Sequence, residues 1–201
     1  MKRTLCILSL ACLATLSHAQ EWKQGASDWA NLPTVKQSRQ GLYLTPQQAY
    51  EMVQKEGKNT LFLDIRTRAE AMYVGMPSAV DALVPYVEHQ EIMGEWDDKR
   101  NIYVLEPNVD FPKEVERRLT DKGLNKQSRI ILICRSGDRS AKASDLLAMS
   151  GFSSVYSIAE GFEGDMGKEG PSANRRTVNG WKNANLPWSY KLDKTKMYFP
   201  K

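Results

Sequence analysis

Four short, nearly unbroken apolar runs constrain the fold of this 201-residue chain more than any other feature: Leu61-Phe62-Leu63-Asp64-Ile65, Ala79 to Val84, Ile130 to Ile133, and Val155 to Ile158. Runs of this kind mark strands buried on both faces. Between them, Phe111, Val115 and Leu119 recur at helical spacing before Gly123, and Ala143, Leu146 and Leu147 do so before Gly151. Ahead of the first run, Thr45 can cap a helix, Pro46 suits its first turn, and Gln48 completes a capping box. Ala49, Met52, Val53 and a stop at Gly57 fit that one helix. The alternation predicts an α/β fold with a mostly parallel sheet covered by helices, in which function gathers at the carboxyl ends of the strands.

The N-terminus is of another kind. Lys2 and Arg3 precede an uncharged stretch from Thr4 to Leu16 and then Ser17-His18-Ala19, the pattern of a secretory signal peptide over residues 1–19. That stretch falls short of the roughly 20 residues that cross a bilayer, so no membrane span is expected after cleavage. Ser9-Leu10-Ala11-Cys12 leaves lipidation as an alternative, although Ser9 stands where a large apolar residue is expected. The mature chain is expected in a periplasm or outside the cell. Residues 20–41 read as a polar N-terminal extension and 191–201 as a C-terminal tail.

Losing Lys2 and Arg3 takes the 28 basic residues to 26 against 24 acidic ones, a formal charge of +2. That balance argues against nucleic acid or an anionic membrane surface as a partner. Cys6 and Cys12 would leave with the leader, and a lone Cys134 forms no intramolecular disulfide. One remaining histidine, His89, cannot complete a His and Cys zinc site, so no metal is expected. His89 itself reads as an ordinary surface residue.

Cys134 heads the run Cys134-Arg135-Ser136-Gly137-Asp138-Arg139-Ser140, directly after the strand Ile130 to Ile133 and before a helix expected to begin near Ser140. A loop in that position can turn successive amides inward as an anion-binding nest, and the helix N-terminus adds partial positive charge. Both effects favour a thiolate, and Arg135 and Arg139 add cationic side chains nearby. The alternative is a small buried hydrophobe at a strand end, as many free cysteines are.

With these residues in view the chain resembles the single-domain rhodaneses, sulfurtransferases that carry a persulfide on cysteine. Besides the cysteine loop, three stretches match in order. They are Leu61 to Glu70 with its Asp64-x-Arg66 signature, Gly151-Phe152 through Val155-Tyr156 to Glu160-Gly161-Phe162, and Gly180-Trp181-Lys182 with Leu186-Pro187-Trp188. The resemblance covers residues 42–190 and implies a rhodanese-like, five-stranded, mostly parallel sheet with helices on both faces. Two segments, near 87–110 and 165–179, read as insertions that should emerge on the rim that carries Cys134. In place of the family's common Gly-His-Ile and Pro-Gly-Ala, this chain has Val74-Gly75-Met76-Pro77-Ser78-Ala79, without the histidine.

The resemblance implies covalent catalysis with no cofactor. The Cys134 thiolate takes the outer sulfur of a small anionic donor such as thiosulfate, and an acceptor (cyanide, a thiol or a protein) then removes it. Amides from Arg135 to Ser140, including those of Ser136, Gly137 and Asp138, would hold the persulfide. Arg139 would favour anionic donors and Arg135 would assist at the rim, while Asp138 would fix Arg139 or the loop, or simply be solvated. Asp64 and Arg66 would brace the sheet edge beneath the loop. Arg175 and Arg176 would form a basic patch at the rim, or belong to a solvated loop. Two other readings stay open. One is a carrier module that hands sulfur between partners; the other is a cysteine phosphatase or arsenate reductase, whose loops place one residue more between cysteine and arginine.

Overall fold

The computed structural model describes residues 29–200; the expected leader over residues 1–19 lies outside the described residues. In chain order the regular elements are β1 (Tyr43–Leu44), α1 (Pro46–Glu56), β2 (Thr60–Asp64), α2 (Arg68–Val74), β3 (Met76–Pro77), β4 (Ala82–Leu83), β5 (Val87–His89), β6 (Trp96–Asp97), β7 (Ile102–Tyr103), β8 (Leu105–Pro107), α3 (Phe111–Asp121), β9 (Arg129–Ile133), α4 (Asp138–Met149), β10 (Val155–Ile158) and β11 (Trp188–Ser189). Five strands form one sheet in the order β1-β10-β9-β2-β4, and every neighbouring pair is parallel. The ladder between β2 and β9 runs from Thr60 opposite Arg129 to Asp64 opposite Ile133, so both strands end at the same rim.

Successive side chains on a strand point to opposite faces, and here both faces are covered. Leu61, Leu63, Ile130 and Leu132 pack against Phe111, Val115 and Leu119 of α3 and Ala143 and Leu147 of α4. Phe62, Ile131, Ile133 and Ile158 pack on the other face against Ala49 and Met52 of α1, Ala71 of α2, and the buried Phe162 and Trp181. This is the expected α/β arrangement. The run at 79–84 contributes less ladder than expected, because the Ser78 amide donates to Pro187 and the Val80 amide to Pro77, leaving Ala82 and Leu83 to pair with β2.

The α1 capping box is present: the Gln48 amide donates to Thr45 Oγ1 at 3.2 Å and the Thr45 amide to Gln48 Oε1 at 2.8 Å. The described part of the extension is tied down. Lys36 Nζ lies 2.6 Å from Asp165, and the Arg39 amide donates to Asp145 at 2.7 Å. Residues 87–110 form a nested antiparallel ribbon, β5 with β8 and, further out, β6 with β7. Residues 165–179 hold a single 3-10 turn at Gly170–Ser172. Among the described residues no helix is long and apolar enough to cross a membrane.

Candidate active site

Cys134 follows β9 and is fully buried, and the chain then crosses Arg135, Ser136 and Gly137 into α4, which begins at Asp138, two residues earlier than expected. The loop is clamped from behind. The Phe162 amide donates to the Cys134 carbonyl at 2.8 Å and the Glu163 amide to the Arg135 carbonyl at 3.0 Å. Gly137 adopts φ +97°, and a Cβ there would stand 2.1 Å from the Ala159 carbonyl oxygen. Gly137→Ala is therefore expected to destabilise by more than the ~1–2 kcal/mol of a left-handed alanine alone, because the backbone of Ala159 must also move. A urea unfolding midpoint shifted by less than that would remove the clamp argument.

Three groups converge on the sulfur. The amides of Gly137 and Ser140 point to Cys134 Sγ at 3.1 and 3.4 Å, and Ser140 Oγ lies 3.5 Å away. Ser140 Oγ is itself held by Ser157 Oγ at 2.8 Å and by donating to the Gly137 carbonyl at 3.1 Å. Backbone amides and a helix N-terminus aimed at one sulfur stabilise negative charge on it. The sulfur itself is sheltered under the loop, with Cys134 fully buried.

The basic side chains behave differently from expectation. Arg139 is engaged by Glu70 of α2 in a two-pronged pair at 2.7 and 2.6 Å. Glu70 is also the third residue of a second capping box and accepts from the Thr67 amide at 3.0 Å. Burial alone would push the Glu70 carboxyl up, but hydrogen bonds and charge from Arg139, then the Thr67 amide and the charge of Arg66, bring it down to about 2. Burial likewise opposes the charge of Arg139, and Glu70 overcomes it and holds the guanidinium above its ordinary value. Asp138 acts on Arg139 through its charge, the smallest of the influences on that guanidinium. Its carboxylate accepts from Ser136 Oγ at 3.3 Å and lies 4.0 Å from Cys134 Sγ.

Asp64 and Arg66 form a fully buried ion pair with 2.6 Å between Arg66 Nη2 and Asp64 Oδ2. Arg66 also donates to the Gly75 carbonyl at 2.7 Å and stacks 4.0 Å from the Phe162 ring centroid. The pair stands at the carboxyl end of β2, between the edge strand β4 and the loop-bearing β9. Through Phe162 it supports the segment that clamps Cys134.

A cleft of about 780 Å³ opens beside the loop. Arg135, Asp138, Arg139 and Lys142 form its floor, and the 87–110 ribbon forms its wall through His89, Trp96, Arg100 and Tyr103. His89 is thus a cleft residue, half-buried, with Nδ1 shut off from solvent and unpaired. Of the two rim arginines, Arg176 is half-buried and donates to the Gly164 carbonyl at 2.5 Å, whereas Arg175 is exposed. Burial and then the nearby charge of Arg135 push the Arg176 guanidinium down from its ordinary value. Among the described residues no group of His, Cys, Asp and Glu is placed to hold a metal ion.

Comparison with known proteins shows the family and the fold. Residues 45–167 match the rhodanese-like domain family. The chain belongs to that family. Protein RC0915 of Rickettsia conorii is 29% identical over 144 residues, covering 71% of this chain and 92% of the relative. Protein RP600 of Rickettsia prowazekii is 28% identical over 134 residues, 66% of this chain and 85% of its own length. The crystal structure of Rv0390 from M. tuberculosis superposes with a TM-score of 0.56 at 26% identity, covering 74% of this chain and 97% of that one.

Proposed function

We propose that this protein is a sulfurtransferase that carries sulfane sulfur as a persulfide on Cys134. The observation that carries the reading is the sulfur's setting: Sγ faces the Gly137 and Ser140 amides at 3.1 and 3.4 Å, beneath a helix N-terminus. With thiosulfate as donor, the thiolate attacks the outer sulfur, the S–S pair of electrons leaves with sulfite, and Cys134–S–S⁻ remains. Cyanide or a thiol then takes that outer sulfur and returns the thiolate, so ping-pong kinetics are expected. The loop amides supply preorganised stabilisation of the sulfur's charge in both half-reactions.

The pairing of Arg139 with Glu70 weighs against a phosphatase or arsenate reductase, since a tetrahedral oxyanion needs a guanidinium free to grip it in two places. It also shifts donor attraction to Arg135 and Arg176, the cations beside the loop that have no carboxylate engaged in this way.

The test is the intact mass of the purified protein before and after thiosulfate, and then after cyanide, with Cys134→Ser alongside. One sulfur gained, removed by cyanide and absent from the serine variant, is the expected result. Failure to load from thiosulfate, polysulfide or an organic persulfide would overturn the reading. Loading without multiple turnover would favour a carrier that delivers to a protein.

A further inference from the structure

We infer that the cleft walled by the 87–110 ribbon is the binding site for the sulfur acceptor, and that this acceptor is a peptide-sized organic thiol bearing carboxylates. The inference rests on the sulfur-transfer reading for the role of the ligand, and on the shape and chemistry of the cleft for its class.

Size is the first argument. Thiosulfate has five heavy atoms and the loop amides alone can receive it, yet the cleft extends to about 780 Å³, within the ~300–1,000 Å³ of small-molecule sites. Composition is the second. Trp96 and Tyr103 sit directly opposite each other on β6 and β7, with rings in edge contact at 5.2 Å. They remain 51% and 48% exposed on the cleft wall, an aromatic surface that a ligand body would cover.

Charge is the third. Outside the Glu70–Arg139 pair, three cations, Arg100, Arg135 and Lys142, line the cleft against one carboxylate, Asp138. Glu70 is consumed by Arg139, and Asp97 reaches Arg100 only at 3.7 Å. Two polar atoms among the cleft-lining residues, Arg135 Nε and His89 Nδ1, are shut off from solvent without a partner, so a ligand that drew either side chain outward would satisfy it. The described residues hold no second cysteine, so the thiol that clears the persulfide comes from outside. In that step the acceptor R–SH passes its proton to the outer sulfur of Cys134–S–S⁻ and attacks that sulfur as the thiolate. The S–S electron pair leaves with Sγ, and the proton stays on the product R–S–SH.

Glutathione serves as the probe. S-methylglutathione, which cannot accept sulfur, should bind the full-length Cys134→Ser protein in a calorimetric titration. Trp96→Ala and Lys142→Glu should each weaken it about tenfold; Lys168→Glu, the same charge change on an exposed residue that does not line the cleft, should not. On sulfur-loaded wild type, the rate of discharge to glutathione relative to cyanide should fall about tenfold in the two cleft variants. No binding, or equal losses in Lys168→Glu, would overturn the cleft assignment. A wild type that never loads sulfur would overturn the transfer reading and leave the titration to decide the cleft.

Discussion

Asp64→Ala is expected to cost about 3–5 kcal/mol of folding stability, read from the urea midpoint. The pair it breaks has both side chains fully buried. Removing the carboxylate leaves a guanidinium with one hydrogen bond to Gly75, a ring beneath it, and an Nη1 that already lacks a partner. A buried charge without its counter-ion is far more costly than the pair's own net contribution is favourable. The double variant Asp64→Leu with Arg66→Met should therefore be more stable than Asp64→Ala alone, because it removes the orphaned charge as well. Additive losses would show that the two residues stabilise the fold independently and would sink this account. The consequence reaches Cys134 by a short route. Arg66 stacks on Phe162, and the Phe162 amide holds the Cys134 carbonyl, so sulfur loading in Asp64→Ala should slow even where the protein remains folded.

The sheet was legible because its central strands are continuous apolar runs with both faces buried, a pattern that needs no tertiary information to read. What was illegible is short. β1 is two residues long, and α2 spans seven with only Ala71 buried, too few for a helical period to register. Its one local signal is the capping box Thr67-x-x-Glu70. Residues 87–110 carry strands of two or three residues, below the length at which alternation can be recognised, so the pairing within this segment does not show in the sequence.

The site divides in the same way. The cysteine loop was readable because it is contiguous, and its chemistry follows from a strand end meeting a helix start. The partner of Arg139 was not, because Glu70 lies 69 residues earlier and meets it only when β2 and β9 are adjacent. His89 and the Trp96–Tyr103 pair reach the cleft for the same topological reason. Local sequence shows what a residue can do; which neighbour restrains it is decided by strand order.

That restraint makes Glu70→Gln the informative substitution at the loop. Glutamine keeps the acceptor oxygen for the Thr67 amide and loses the charge that holds Arg139. The folded-state carboxyl lies at about 2, below its ordinary 4.5, so the folded protein keeps this group ionised where the unfolded chain would protonate it. Its contribution is then complete above pH 4.5 and is lost as pH falls towards 2. At pH 7 the variant should be less stable by about 2–3 kcal/mol, the side chains being mostly but not wholly shielded from solvent. Below pH 4.5 the wild type loses that advantage while the variant has nothing to lose, so the two urea midpoints should converge. A gap that stays constant from pH 7 to pH 3 would mean that packing, not charge, joins α2 to the loop. Freed of its carboxylate, Arg139 should also attract anions it now ignores, so phosphate should become a stronger competitor of thiosulfate in Glu70→Gln than in the wild type.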